Sequence, residues 1–353
     1  MTNSRQELNS GVSEVRDAHR FDEARLAAWM AEHVEGFAGP LRVEQFKGGQ
    51  SNPTYALTTP SRRYVMRRKP PGTLLPSAHA VDREYHVIHA LHGAGFPVAR
   101  PFGLCTDPAV IGTMFYVMER VDGRIFWDTR FPEVSLADRP LYFDAMNATL
   151  AQLHKIDFQA IGLGDYGKPG NYFARQIGRW AKQYREDEAA GRVEALDKVI
   201  PWLETNIPPG DDVSIVHGDY RCDNMIFHAT EPRVIAVLDW ELSTLGHPLA
   251  DFAYHLMMYR LPPHIITGLA GADLKALNIP SEEEFVTAYC RRTGRDGIPK
   301  LNFYMAFSLF RMAAITHGIK GRILRGTAAS SHAQQTVERL ELMANLAWEQ
   351  AQL

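Results

Sequence analysis

The segment His217-Gly218-Asp219-Tyr220-Arg221-Cys222-Asp223-Asn224 has the spacing H-x-D-x-x-x-x-N. It is followed by the short apolar run Val237-Leu238, which ends in Asp239-Trp240-Glu241. Moving a phosphoryl group onto a hydroxyl calls for three oxygen groups in this order. One carboxylate orients the attacking hydroxyl, and an amide oxygen and a second carboxylate hold Mg²⁺ against nucleotide phosphates. Asp219 fits the first role, and Asn224 and Asp239 fit the metal roles, because Mg²⁺ prefers oxygen and takes few ligands from protein. Alternation along Ile235, Val237 and Asp239 puts the second carboxylate at a strand end. Glu241 is either a further metal or acceptor contact or a solvated loop carboxylate. Arg221 is either a phosphate or acceptor contact or half of a surface ion pair. His217 is expected to brace the loop through backbone hydrogen bonds rather than to do acid–base work.

These groups need a scaffold. Residues 1–20 read as a flexible tail, and a short helix follows with Phe21, Leu26, Trp29 and Met30 apolar and Asp22 as its cap. Strand-like runs at Leu41–Phe46, Thr54–Leu57 and Tyr64–Arg68, joined by tight turns, predict an antiparallel sheet. A helix is expected from a Ser77 cap to Gly93, with Val81, Tyr85, Ile88 and Leu91 on one face and Glu84 beside them. A strand at Met114–Met118 leads to a break at Glu119–Gly123, which divides the chain into segments 21–119 and 120–353. The second is mostly helical, with helices over Leu141–His154, Phe173–Tyr184, Ser281–Arg291 (a capping box), Asn302–His317 and 332–350. Short strands at Ser214–Val216, Met225–Phe227 and Val234–Leu238 surround the motif.

Composition excludes several classes. With 353 residues and 45% hydrophobic content the chain can bury a large core. A net charge of −3 gives no bulk attraction to nucleic acid. The scattered Cys105, Cys222 and Cys290 form no metal spacing and suit a reducing compartment. The polar N-terminus and the lack of any long apolar run point to a cytoplasmic protein with no signal peptide and no membrane span.

The motifs resemble those of the aminoglycoside phosphotransferase and choline kinase superfamily. H-G-D stands at 217–219 where protein kinases carry H-R-D, D-W-E stands at 239–241 for D-F-G, and no long activation segment follows. Within the superfamily the sequence is most similar to the phosphotransferase domain fused to some acyl-CoA dehydrogenases. The matching pieces run in order: Gly48-Gly49-Gln50-Ser51-Asn52, Tyr64–Arg68, Leu74–His79, Asp82–Tyr85, Arg175-Gln176 with Trp180, the catalytic block, and Phe307–Arg311. The resemblance implies an α+β, two-lobed, protein-kinase-like fold with an antiparallel N-lobe sheet plus helix and a mainly helical C-lobe. It implies ATP and Mg²⁺ as cofactors and a small-molecule hydroxyl as acceptor, with a hydroxyacyl-CoA leading and a functional link to an acyl-CoA dehydrogenase. Asp251 matches a position that ties down the catalytic loop. Arg67 takes the place of the kinase lysine that grips phosphates, with Glu84 as partner, and Val65 on the same strand face would touch adenine. Arg68 or Lys69 replaces Arg67 if the register slips. Gly48 to Asn52 is either a phosphate-covering loop or an ordinary hairpin turn, and Met118, Glu119 and Arg120 would offer hinge backbone to the adenine.

Charge bears on the acceptor. From Val286 to Leu353 nine Lys/Arg face only four acids, a balance that favours an anionic acceptor over a polycationic one. Arg311 lies in an apolar helix and should have either an ion-pair partner or a ligand. The alternatives are an aminoglycoside or choline-like kinase, and a non-catalytic nucleotide-binding pseudokinase.

Overall fold

The structure, a computed structural model, describes residues 11–47, 52–71, 79–265, 267–326 and 337–353. In chain order the strands are β1 (Val12–Ser13), β2 (Arg42–Phe46), β3 (Thr54–Thr58), β4 (Arg63–Arg68), β5 (Pro101–Cys105) and β6 (Phe115–Glu119). They are followed by β7 (Ser214–Val216), β8 (Met225–Phe227), β9 (Val234–Val237) and β10 (Thr244–Gly246). The chain divides into two compact units that are discontinuous in sequence. The first holds Met1–Trp127, Phe158–Tyr166 and Cys222–Ser243, and the second holds Asp128–Asp157, Gly167–Arg221 and Thr244–Leu353. Packing thus assigns Asn224 and Asp239 to the first unit, whereas a contiguous split at residue 120 would put them in the second.

In the first unit an antiparallel sheet has the order β1-β2-β3-β4-β6-β5. Period-2 alternation sorts β4: Tyr64 and Met66 join Leu26, Met30, Tyr55, Leu57, Phe115 and Val117 in one apolar cluster, and Val65 and Arg67 face the other way. The helix Glu23–His33 supplies Leu26 and Met30, and Asp22 caps it by accepting the Ala24 and Arg25 N–H groups at 3.0 Å. Residues 11–20 are not a loose tail. Val12 pairs with Phe46, and the Tyr55 hydroxyl donates to the His19 carbonyl at 2.9 Å. The helix Val81–Gly93 buries Val81, Glu84, Val87, Ile88 and Leu91. Its N-cap is Ala80, and the expected cap Ser77 lies outside the described residues. β8 and β9 form a hairpin, with Met225 opposite Val237.

The second unit pairs β7 with β10 and is otherwise helical. Its helices are Arg139–Lys155, Tyr172–Glu186, Glu194–Thr205, Pro248–Leu256, Glu282–Thr293, Leu301–Leu324 and Leu340–Ala351. Phe173 anchors its centre, with ring contacts to Phe303, Tyr304 and Phe307. The Ser281–Glu284 capping box is present. Leu301–Leu324 is buried over most of its circumference, as its composition predicts. β5, β10 and the helices Glu194–Thr205 and Pro248–Leu256 have no counterpart among the elements expected from the sequence. Among the described residues no helix is long and apolar enough to cross a membrane.

The β8–β9 hairpin is fastened to the first unit by a bridge in which Arg124 and Phe227 exchange both backbone hydrogen bonds at 2.8 Å. Gly123 makes the approach possible, because a Cβ there would stand 2.2 Å from the Phe227 carbonyl oxygen. Gly123→Ala is therefore expected to destabilise the protein by about 2 kcal/mol or more, the scale of forced overpacking. Urea denaturation of the two proteins measures it. An unchanged midpoint would mean the bridge is not a close fit.

Candidate active site

In the first unit the decisive side chain is Arg67. It is 12% exposed, and its Nε lies 3.2 Å from Glu84 Oε2. Its Nη2 lies 2.9 Å from Asp239 Oδ1 and 3.3 Å from Glu241 Oε2. Glu84 is 1% exposed and accepts hydrogen bonds from Asn52 Nδ2 and the Tyr116 hydroxyl, both at 3.0 Å. Tyr116 stands directly across the β4–β6 ladder from Arg67. Burial pushes the Glu84 carboxyl up to about 7, against the pull of Arg67 and with Asp239 and Glu241 adding to the rise. Burial also works against the Arg67 charge, but Glu84 and Asp239 outweigh it and hold the guanidinium protonated. The strand register is settled by this ion pair. Arg68 points to the opposite face, where its guanidinium lies 5.3 Å from the centre of the Phe21 ring.

Asp239 follows β9 and has φ +65°, a left-handed backbone that Asp adopts more readily than most residues. The turn swings its carboxylate out of the strand, leaving it 43% exposed. Leu238 N–H donates to the Asn224 carbonyl at 2.8 Å, so Asn224 and Asp239 share one end of the hairpin. Buried Trp240 locks the turn, donating from Nε1 to the Val237 carbonyl at 3.0 Å and meeting Phe96 edge-on. Three carboxylates thus gather around one guanidinium, with an amide at the same hairpin end. This oxygen-rich, net-negative set fits a hard divalent cation.

In the second unit Asp219 sits on a loop with a tightly held backbone. The buried Asp251 carboxylate accepts the His217 N–H at 2.7 Å and the Gly218 N–H at 2.8 Å. Gly218 has φ +83°, a conformation that suits glycine. His217 Nδ1 accepts the Asp219 N–H at 3.2 Å. His154 bridges outward, with Nε2 3.3 Å from Asp251 and Nδ1 2.7 Å from the Tyr289 hydroxyl. Burial opposes the Asp251 charge, but the hydrogen bond and charge of His154 and the proximity of His217 hold its carboxyl below the usual value. His255 Nδ1 meets the Tyr220 carbonyl at 3.1 Å. The Asp219 carboxylate itself accepts the Tyr254 hydroxyl at Oδ1, and Arg221 Nε lies 3.1 Å from the same oxygen.

The other expected nucleotide-site residues are placed as follows. Asn52 uses both ends of its amide inside the protein, on Glu84 and on His79 Nδ1 at 3.0 Å. Gly48, Gly49, Gln50 and Ser51 lie outside the described residues. Val65 is buried opposite Met118. The Glu119 N–H donates to Arg100 at 2.8 Å and the Arg120 N–H to Arg63 at 3.4 Å, so the sheet uses two of the expected hinge donors. Three of the nine C-terminal basic residues pair with distant acids. Arg292 pairs with Asp144, Arg295 with Asp212 and Arg325 with Asp187. Arg311 is half-buried, with its guanidinium 5.8 Å from the centre of the Tyr254 ring. Tyr116, His154 and Tyr254 touch these groups and were not singled out in the sequence. Only Tyr116 left a signal, as the residue on the predicted strand that could face a β4 cation.

Residues 42–303 match the family described as the phosphotransferase enzyme family. The chain belongs to that family. It is 46% identical over 347 residues to acyl-CoA dehydrogenase family member 11 of Gallus gallus, covering 96% of this chain and 44% of that protein. This phosphotransferase therefore spans less than half the length of that relative. It is 53% identical to a candidate aminoglycoside phosphotransferase of Ralstonia eutropha solved by crystallography, with a TM-score of 0.87 over 94% of this chain and 99% of that one. A thermostable aminoglycoside phosphotransferase APH(4)-Ia, solved with AMP-PNP and hygromycin B, shares 15% identity and the fold, with a TM-score of 0.58 over 92% of this chain and 98% of that one. The protein is an α+β, kinase-like member of this phosphotransferase enzyme family.

Two measurements check this arrangement. Arg67→Met strands Glu84 without its cation and is expected to cost roughly 3 kcal/mol or more in urea denaturation, with Arg67→Lys recovering part of it. Equal stability of all three proteins would show that Glu84 is held neutral by Asn52 and Tyr116 alone. The second is a pH dependence. Burial lowers His255 from 6.5 to about 4, opposed by the Tyr220 carbonyl and Asp251, and lowers His247 likewise to about 4. The unfolded chain takes up these protons near pH 6.5 and the folded chain excludes them until about 4. Stability is thus full above pH 6.5 and is lost as pH falls toward 4, by up to about 3 kcal/mol per histidine. His255→Phe should remove about half of that slope between pH 7 and pH 5, and an unchanged slope would rule out His255 as a source.

Proposed function

We propose that the protein transfers the γ-phosphoryl group of ATP, with Mg²⁺, to the hydroxyl of an anionic small molecule, and that a hydroxyacyl-CoA is the leading acceptor. The observation that carries the reading is the Asp219 loop. Its backbone is fixed by Asp251 and His217, while the Asp219 carboxylate is held by side chains at one oxygen. In this reading Asp219 orients the acceptor hydroxyl and takes its proton as the acceptor oxygen bonds to phosphorus and the bond to ADP breaks. Asn224 and Asp239 hold the metal, which neutralises phosphate charge when bound. Arg67, kept charged and oriented by Glu84, contacts nucleotide phosphate, and Val65 with the hinge around Met118 supports the adenine. His217 and Asp251 support the loop. Arg221, Glu241 and Arg311 are candidate acceptor contacts.

Two observations favour an anionic acceptor. The groups that reach the Asp219 carboxylate include Arg221 and Tyr254, with Arg311 beyond the Tyr254 ring, so cationic and neutral donors lie on that side. The curated relative at 46% identity is named for an acyl-CoA dehydrogenase, which supports an acyl-CoA and a shared acyl substrate with such a partner.

The test is Mg²⁺-dependent ADP release from ATP across 3- and 4-hydroxyacyl-CoAs, choline and aminoglycosides. Release should be stimulated by a hydroxyacyl-CoA and should fall at least about 100-fold in Asp219→Asn, with ATP affinity retained. Stimulation only by choline or an aminoglycoside would replace the acceptor. Equal behaviour of wild type and variant, with ATP still bound, would make the protein a nucleotide-binding module.

A further inference from the structure

Arg311 is a charged interruption in a buried helix. Phe303 to Phe310 are buried on its N-terminal side, and Ala313, Ala314 and Thr316 to Gly318 on its C-terminal side. Among the described residues no carboxylate pairs with it. Its guanidinium lies 5.8 Å from the centre of the Tyr254 ring, whose hydroxyl donates to Asp219 Oδ1. Arg311 and the Asp219 loop are thus joined through one phenol. A second phenol, Tyr172, packs edge-on against Phe307, one helical turn before Arg311, and feels the Arg311 and Arg175 charges. Among the described residues the Tyr172 hydroxyl has no hydrogen-bond partner. Burial keeps both phenols protonated, so each can donate and neither adds negative charge. A half-buried guanidinium with no acid beside it keeps donors free for a ligand, and the one aromatic ring below it uses none of them.

We infer that Arg311 and the Tyr172 hydroxyl form a subsite beside Asp219 that takes a carbonyl oxygen of the acceptor, from a carboxylate or from a thioester. This rests on the kinase reading above and names which part of the acceptor is recognised. The Tyr254 bridge keeps Arg311 close to the catalytic carboxylate, so the oxygen it takes belongs to the acyl portion that carries the hydroxyl rather than to a remote phosphate. Arginine supplies two parallel donors to a carboxylate or either one to a thioester carbonyl, and a phenol supplies a further donor. Tyr254 then acts as a positioning residue. It couples the orientation of Asp219 to the stacked guanidinium, so occupancy of the subsite and alignment of the base are linked through one ring.

The experiment measures binding by calorimetry and ADP release for 4-hydroxybutyrate, 4-hydroxybutyryl-CoA and, as a ligand without a carbonyl, 1,4-butanediol. The proteins are wild type, Arg311→Met, Arg311→Lys and Tyr172→Phe. Arg311→Met should weaken the carbonyl ligands about tenfold or more, leave ATP and the diol unchanged, and regain part of the affinity as Arg311→Lys. Tyr172→Phe, which removes one hydroxyl from a packed ring, should weaken them about threefold and keeps the test open if Arg311→Met fails to fold. Loss for the free acid alone identifies a carboxylate ligand, and loss for the thioester alone identifies the acyl-CoA. Binding that depends on Arg311 without ADP release would sink the kinase reading and leave the subsite. ADP release with the same KM in wild type, Arg311→Met and Tyr172→Phe would overturn the subsite and leave the kinase, and a wild type that binds neither carbonyl ligand would also overturn it.

Discussion

One guanidinium among three carboxylates governs the first unit. Glu84 is buried in a place where a carboxylate is stable only with a cation and hydrogen-bond donors around it, and Arg67, Asn52 and Tyr116 provide them. The same guanidinium reaches Asp239 and Glu241 on the β8–β9 hairpin. Its forked, planar donors make this possible, since a lysine ammonium on one stem would serve one or two of these oxygens in any one position. The ladder register of β4 and β6, the pitch of the helix Val81–Gly93 and the turn at Asp239 therefore have to agree with one another. Once Arg67 is counted, negative charge remains in excess at this hairpin end.

The second unit solves a different problem. A loop that must present a carboxylate cannot also rely on apolar burial, so its backbone is held by polar groups that are themselves buried. Asp251 takes two successive N–H groups, His217 takes a third, and His255 meets the Tyr220 carbonyl. His154 and Tyr289 extend that support away from the loop. Asp251, His217 and His154 are partnered within this network, which limits the cost of a polar interior, while His255 Nε2 is buried without a partner among the described residues. The strain is confined to Gly218, the one position in the loop where a left-handed backbone meets no side-chain penalty.

The sequence was most readable where the chemistry is local. Asp219 and Asn224 lie on one short segment, and Asp239 ends the next strand but one, so spacing alone brought them to attention. Arg67 and Glu84 were readable through two periodicities, period two on β4 and the helical repeat after Val81, which leave one face for each residue. What spacing could not convey was partnership across distant parts of the chain. Asn52 looked like part of a glycine loop because nothing nearby in sequence reveals that its amide is spent on Glu84. Tyr254 and His154 looked like ordinary core residues of their helices. The count of C-terminal basic residues misled for the same reason: Arg292, Arg295 and Arg325 find acids far away in sequence, and a window sum is blind to them. The fold class was legible because strand and helix signals segregate along the chain, whereas the assignment of the β8–β9 hairpin depends on the Gly123 contact, which leaves only one small residue as its trace.

The interleaving of the two units has a consequence for inheritance. Each is assembled from three stretches of chain, and no single break point separates one from the other. Exchange of contiguous gene segments would part Asp239 from the sheet that bears Arg67, or the Asp219 loop from the helices that hold it. A chain built this way can be duplicated, or joined end to end with other coding sequence, only as one indivisible cassette.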